Sequence, residues 1–316
     1  MTQVVRSYWF IVVLTTVVAK PVAAGELDGN LKQQQEETLK QDVEAVTPEQ
    51  LPKRLTQLLE KTETPGASVA VVKNGKVIWA AGVGQSRSEE GKAVTEATLF
   101  QAASISKPVT ALAALRLVQK GVIDLDKPIN SQLQAWKVPN SGKAKGDPIT
   151  LRHILSHTAG LTVHGFAGYR VGKPVPTLIQ VLNGQQPANS SRVRANRTSG
   201  TKYKYSGGGY CVAQLLIQEK TNKAFAAAMN DLVLKPLQMK ASTYQQPLPA
   251  ALHDRAASGH RSRSFFRKGS VVRGEWHVYP EQAAAGLWTT PSDLARFLIA
   301  VQRAYAGKPD SILNNK

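Results

Sequence analysis

Apolar and polar positions follow different rhythms along the chain. Leu51, Leu55, Leu58 and Leu59 recur at helical spacing. Thr47-Pro48-Glu49-Gln50 places a hydroxyl cap, an early proline and a glutamine before them, so a helix is predicted to start there and to end at Pro65-Gly66. Two β-branched runs, Ala67–Val72 and Val77–Val83, flank Lys73-Asn74-Gly75-Lys76. Asn-Gly between such runs is the strongest short-range signal for a hairpin. Beyond it the pattern is mainly helical. One helix should follow Ser104 and close near Lys120-Gly121, and another should run from Thr150 to Thr158 and stop at Gly160. Two more are predicted from about Tyr210 to Lys220 and from Ala224 to Val233. Thr290-Pro291-Ser292-Asp293 caps the last, whose Leu294, Phe297, Leu298 and Val301 form one stripe. No internal repeat is present.

The N-terminal pattern is different in kind. Arg6 precedes a mostly apolar run from Ser7 to Ala19, Lys20 bounds it, and Pro21-Val22-Ala23-Ala24 offers small residues for cleavage. This reads as a secretory leader cleaved after Ala24, too short for a bilayer span and leaving no stable membrane span once removed. The expected location is therefore secreted or periplasmic. Glu26 to Glu44 is polar, with Gln33-Gln34-Gln35-Glu36-Glu37 at its centre, and reads as a linker or frayed helix.

Charge changes the picture only slightly. Among 316 residues, 40 Lys+Arg face 22 Asp+Glu, a formal charge of +18. The basic residues are scattered, and the denser groups (Arg192, Arg194, Arg197, Lys202, Lys204; Arg261, Arg263, Arg267, Lys268) fall in Gly- and Ser-bearing loops. No zinc-finger, RNP-like or basic-zipper pattern accompanies them, so nucleic acid is not the expected partner. Attraction to anionic cell-envelope polymers accounts for the balance in an exported protein. The single cysteine, Cys211, excludes a disulfide framework and a multi-cysteine zinc site, and reads as a small buried apolar residue.

Candidate chemistry sits at Ser104-Ile105-Ser106-Lys107, an S-x-x-K at a helix start. Residues three apart share a helix face, so the amine can reach the hydroxyl. A serine needs a base to become nucleophilic, and a lysine serves if burial and the helix N-terminus favour its neutral form. The pattern occurs twice, about as often as chance predicts. The second match, Ser199-Gly200-Thr201-Lys202, lies in a polar loop where nothing fixes the pair on one face. Pro108 implies that the helix begins slightly after Ser104. Tyr203-Lys204-Tyr205-Ser206-Gly207-Gly208-Gly209-Tyr210 reads as a strand-like approach, glycines and a helix; its phenols can carry protons or merely pack. His153 and His157 have an i, i+4 spacing without the Glu of a zinc motif, which favours helix-turn packing. Glu281 is expected at the surface. No metal or cofactor is expected.

Four segments occur together in one order: Ser104–Lys107, Ile149–Leu161 (containing His157-Thr158-Ala159-Gly160), Tyr205–Tyr210 and Ala284–Ala295. In this the chain resembles the serine β-lactamase-related hydrolases of the class C type, which include β-lactamases, D,D-carboxypeptidases, D-amino-acid peptidases and esterases. The resemblance runs from about residue 48 to the C-terminus. It implies an α+β fold, an all-helical domain packed on an antiparallel sheet, as one domain over residues 47–316 after a leader (1–24) and a linker (25–46). It also implies Ser104 as the acylated nucleophile, Lys107 as its base and Tyr205 as a proton carrier, with the Ser104 N–H as half of an oxyanion hole.

Two departures shape the expectation. The family's tyrosine motif often carries Asn two residues after the Tyr, where Gly207 stands here at the substrate-binding position. A glycine cannot donate the amide hydrogen bond to an acyl group. The family's third motif, K-T-G or H-x-G on a closing strand, does not follow the last helix. The sequence therefore reads as lacking its C-terminal strands, with an unpaired edge on the early hairpin. The expected activity is acyl transfer from a small ester, peptide or β-lactam carbonyl, with esterase or D-amino-acid peptidase favoured. The alternative is a non-catalytic penicillin- or envelope-binding relative.

Overall fold

The structure, a computed structural model, describes residues 9–15, 17–18, 50–87, 90–140, 142–261 and 270–314. The linker predicted over 25–46 and most of the leader lie outside the described residues, as does the basic group at Arg263, Arg267 and Lys268. The chain divides into two compact units: residues 1–100, 255–275 and 290–295, and residues 101–254, 276–289 and 296–316.

The first unit is built on a sheet. Strands β1 (Trp9–Thr15), β2 (Gly66–Lys73), β3 (Lys76–Arg87) and β4 (Lys92–Ala93) lie in the order β1-β2-β3-β4, all antiparallel. The hairpin turns at Asn74 and Gly75, both at positive φ (51° and 72°), the primed geometry whose twist matches the flanking strands. β2 is buried from Gly66 to Val72, which is why its apolar residues stand at consecutive positions rather than alternate ones.

In the uncleaved chain the edge expected to be open is paired, by residues of the predicted leader. β1 runs along β2 from Trp9 opposite Lys73 to Thr15 opposite Ala67. An edge strand exposes a row of unpaired backbone groups, and a β-branched apolar segment of the same chain satisfies them here. Helix α1 (Leu51–Lys61) packs on the hairpin, with Leu59 buried. It begins at Leu51, with Gln50 as its N-cap and Pro52 in the first turn; the predicted Thr47 cap lies outside the described residues.

The second unit is helical: α2 (Ser106–Gln119), α3 (Ile129–Gln132), α4 (Leu151–Leu155), α5 (Leu178–Asn183), α6 (Gly207–Thr221), α7 (Phe225–Met229) and α8 (Gln282–Ala285). Helix α6 is its centre, touching α2, α4, α5, α7 and α8. A helix apolar all round must be enclosed, and Gly207 to Ile217 are all buried. It starts at Gly207, earlier than the predicted Tyr210, so the glycines form its first turn. A Cβ on Gly208 would lie 2.7 Å from the Thr162 carbonyl, which explains why a glycine stands there. A last helix, α9 (Pro291–Tyr305), follows, with Leu294 and Phe297 buried and Val301 exposed at the end of the predicted stripe.

Gly84 separates backbone freedom from packing in the sheet. Its φ is +79°, and an added Cβ would lie 2.3 Å from the Pro65 carbonyl oxygen, whereas Gly75 at +72° has nothing within 4 Å. Gly75→Ala is expected to cost about 1 kcal/mol in urea unfolding, and Gly84→Ala about 2–4 kcal/mol because strain and collision add.

Candidate active site

Backbone strain stands beside the candidate nucleophile. Ala103 has φ +43°, an uncommon conformation for a residue with a Cβ and one that persists only where surrounding contacts enforce it. Ala103–Ile105 form a single 3-10 turn, and the α-helix proper begins at Ser106, as Pro108 implied. The enforcing contacts are clear. The Ser106 hydroxyl donates to the Ala103 carbonyl (2.6 Å) and accepts from the Leu287 N–H (3.0 Å). The Tyr244 hydroxyl, fully buried, donates to the Ser106 carbonyl (2.7 Å). Ser104 is thereby left exposed at the tip of the turn while Lys107 is buried beneath it.

Lys107 Nζ donates to Ser104 Oγ (3.0 Å) and to the Ala284 carbonyl (2.8 Å). It lies 4.9 Å from the centre of the Tyr205 ring and 6.0 Å from that of Tyr210. Among the described residues no carboxylate lies within ion-pair distance of it. The adjacent Ala283 carbonyl accepts from Thr110 (3.3 Å), so α8 anchors two side chains of α2.

Tyr205 comes from a segment 101 residues away, and its hydroxyl donates to Ser104 Oγ at 2.9 Å. The structure thus brings Ser104, Lys107 and Tyr205 together on one oxygen. The approach to Tyr205 is not a strand, as predicted, but irregular backbone over residues 202–206. Ser206 then caps α6, its Oγ accepting from the Gly209 N–H (3.0 Å). Gly207 lies beside the site, its N–H committed to the His164 carbonyl (2.9 Å). The second S-x-x-K does not form a pair of this kind, because the Ser199 hydroxyl donates to the Asp147 carbonyl (2.7 Å). A cavity of about 170 Å³ lined by Pro128, Ile129, Val138, Lys145 and Arg197 holds none of the three residues.

The beta-lactamase family profile matches residues 51–314. The chain belongs to the beta-lactamase family. It is 28% identical to "Protein flp" of Staphylococcus aureus strain MW2 over 74% of its own length and 43% of that protein's. It is 27% identical to "Esterase EstB" of Burkholderia gladioli, over 81% of this chain and 70% of the relative. Its fold is like that of the octameric penicillin-binding protein homologue from Pyrococcus abyssi, with a TM-score of 0.65 at 23% identity, covering 85% of this chain and 58% of that one. The chain therefore spans less than half of Protein flp. It has the α+β serine β-lactamase and penicillin-binding fold.

Two groups of this beta-lactamase-family chain depart from expectation. Glu281, predicted at the surface, is fully buried. It precedes α8, and its backbone carbonyl accepts from the Ala284 and Ala285 N–H groups. Tyr169 donates to Oε1 at 3.5 Å, and Oε2 has no partner among the described residues. Burial raises its carboxyl to about 7. His157, weighed as a zinc ligand and favoured as a packing residue, lies against Tyr205. Its ring lies 4.4 Å from the Tyr205 ring, and that of His164 lies 4.8 Å away. Burial, then the charges of Lys107 and His164, push His157 down to about 4. Cys211 is buried as expected, with its thiol pushed well up by desolvation. Among the described residues no three His, Cys, Asp or Glu side chains gather as a metal site.

Burial of Glu281 has a definite pH signature. A carboxyl raised from 4.5 to about 7 makes the folded chain bind more protons than the unfolded chain in that interval. Its contribution is full below pH 4.5 and is lost as pH rises through 7. Glu281→Gln, which cannot ionise, should therefore stabilise the protein relative to wild type at pH 8.5 and not at pH 5, with a difference of at most about 3 kcal/mol by denaturant titration at the two pH values.

Proposed function

We propose that this chain is an exported serine hydrolase working through an acyl-enzyme, and that carboxylic esters or D-amino-acid peptides, more than β-lactams, are its substrates. The observation that carries the reading is the convergence of Lys107 Nζ (3.0 Å) and Tyr205 Oη (2.9 Å) on Ser104 Oγ. Lys107 takes the Ser104 proton while Oγ attacks the substrate carbonyl carbon. The Ser104 N–H, at the start of the strained turn, faces the developing oxyanion. Tyr205 then passes a proton from the lysine side to the departing alcohol or amine, and water repeats the sequence in reverse to release the acid.

The preference for esters and peptides is supported by the esterase relative and by Gly207, which offers no amide to an acyl side chain. Anionic envelope polymers are the proposed macromolecular surroundings, on the strength of the net positive charge, +18 over the full sequence. Export follows from the apolar run and the Val22–Ala24 site; N-terminal sequencing of protein recovered from the culture medium or periplasm should then read from Gly25.

Ser104→Ala should abolish both p-nitrophenyl ester turnover and labelling by a fluorophosphonate. Lys107→Ala and Tyr205→Phe should each lower kcat by about 10²- to 10⁴-fold. Nitrocefin should be a poor substrate beside the ester. Absence of labelling in well-folded wild-type protein would instead support a binding protein without turnover.

A further inference from the structure

We propose that His157 is a positioning residue for Tyr205, gripping the backbone on both sides of the tyrosine so that its hydroxyl meets Ser104. This rests on the serine-hydrolase reading above. The geometry is unusual in that one residue supplies both grips. The His157 carbonyl accepts the Lys204 N–H at 2.7 Å, and its ring Nδ1 accepts the Ser206 N–H at 3.1 Å. A backbone N–H can only donate, so Nδ1 must be the lone-pair nitrogen and the ring neutral with its proton on Nε2. Burial and the facing Lys107 and His164 keep it so above pH of about 4; Tyr203, Tyr205 and Tyr210 are the remaining titratable rings against it.

The need for such a device follows from the backbone. Residues 202–206 belong to no helix or strand, so no ladder fixes Tyr205. His157 is itself held at φ +58°, just past the end of α4, and that left-handed turn aims both its carbonyl and its ring at the 204–206 segment. A misplacement of about 1 Å at a reacting group costs up to about 100-fold in rate. A ring that merely filled space would not need its acceptor nitrogen on the Ser206 N–H.

Three variants separate the acceptor from the ring. His157→Asn tolerates the left-handed backbone and carries an oxygen on Cγ where the imidazole carries Nδ1, so it retains the grip without the ring. His157→Phe retains a ring without the acceptor. Where H157F does not fold, H157G retains the backbone conformation and lacks the acceptor. With a p-nitrophenyl ester, H157F or H157G should lose about 10- to 100-fold in kcat at nearly unchanged KM, and H157N should stay within about threefold of wild type. Adding Tyr205→Phe to H157F or H157G should lower the rate little further, because the phenol is already misplaced.

Amide hydrogen exchange at Ser206 should be slow in wild type and H157N and fast in H157F or H157G. That arm reads the grip even if wild type turns over no ester, an outcome that would count against the hydrolase reading alone. Equal losses in the Asn variant and the acceptor-less variants, multiplicative losses with Y205F, or a fast-exchanging Ser206 amide in wild type would each overturn the proposal.

Discussion

A buried amine with no carboxylate at ion-pair distance among the described residues is the condition around which the helical unit is arranged. Lys107 Nζ has the Ala284 carbonyl and the Ser104 hydroxyl as its hydrogen-bond partners, with two phenol faces nearby. An ammonium left in apolar surroundings costs several kcal/mol, and that cost falls when oxygen acceptors and aromatic faces surround it. The carbonyl of a short helix seats the amine where a carboxylate could have stood. Much else follows from holding that carbonyl in place: the Glu281 backbone cap on α8, the second bond to Thr110, and the Gln214 side chain reaching the Pro280 carbonyl and the Ala283 N–H.

How much of this was legible beforehand divides along physical lines. The hairpin was readable because Asn74-Gly75 is a local conformational signal. Ser104 and Lys107 were readable as a pair because helical spacing is local too. Even Pro108 gave notice that the α-helix would begin after the serine. The conformation of Ala103 was not readable, since its strain is enforced by Ser106, Leu287 and Tyr244 rather than by its neighbours in sequence.

Contacts at long separation needed either the family resemblance or coordinates. Nothing in the spacing of Tyr205 places it on Ser104. The burial of Glu281 was missed because a lone carboxylate after a proline is usually solvated, and only the packing of α8 against α2 and α6 encloses it. His157 was hidden for a subtler reason: its two bonds to the 204–206 segment depend on one left-handed φ, which no apolar pattern records. The hairpin edge is paired by residues 9–15, which belong to the predicted leader, so an open edge remains the expectation for a chain cleaved after Ala24.

Gly207 leaves little room for a side chain. A Cβ there would come within 3.0 Å of the Phe166 ring and 3.1 Å of the His164 carbonyl oxygen. Contacts that close are tighter than ordinary van der Waals packing, so an asparagine at this position would have to displace the Phe166 ring or the backbone at His164 by a few tenths of an ångström. Introducing an amide here is therefore a change to the 164–166 segment as much as to residue 207.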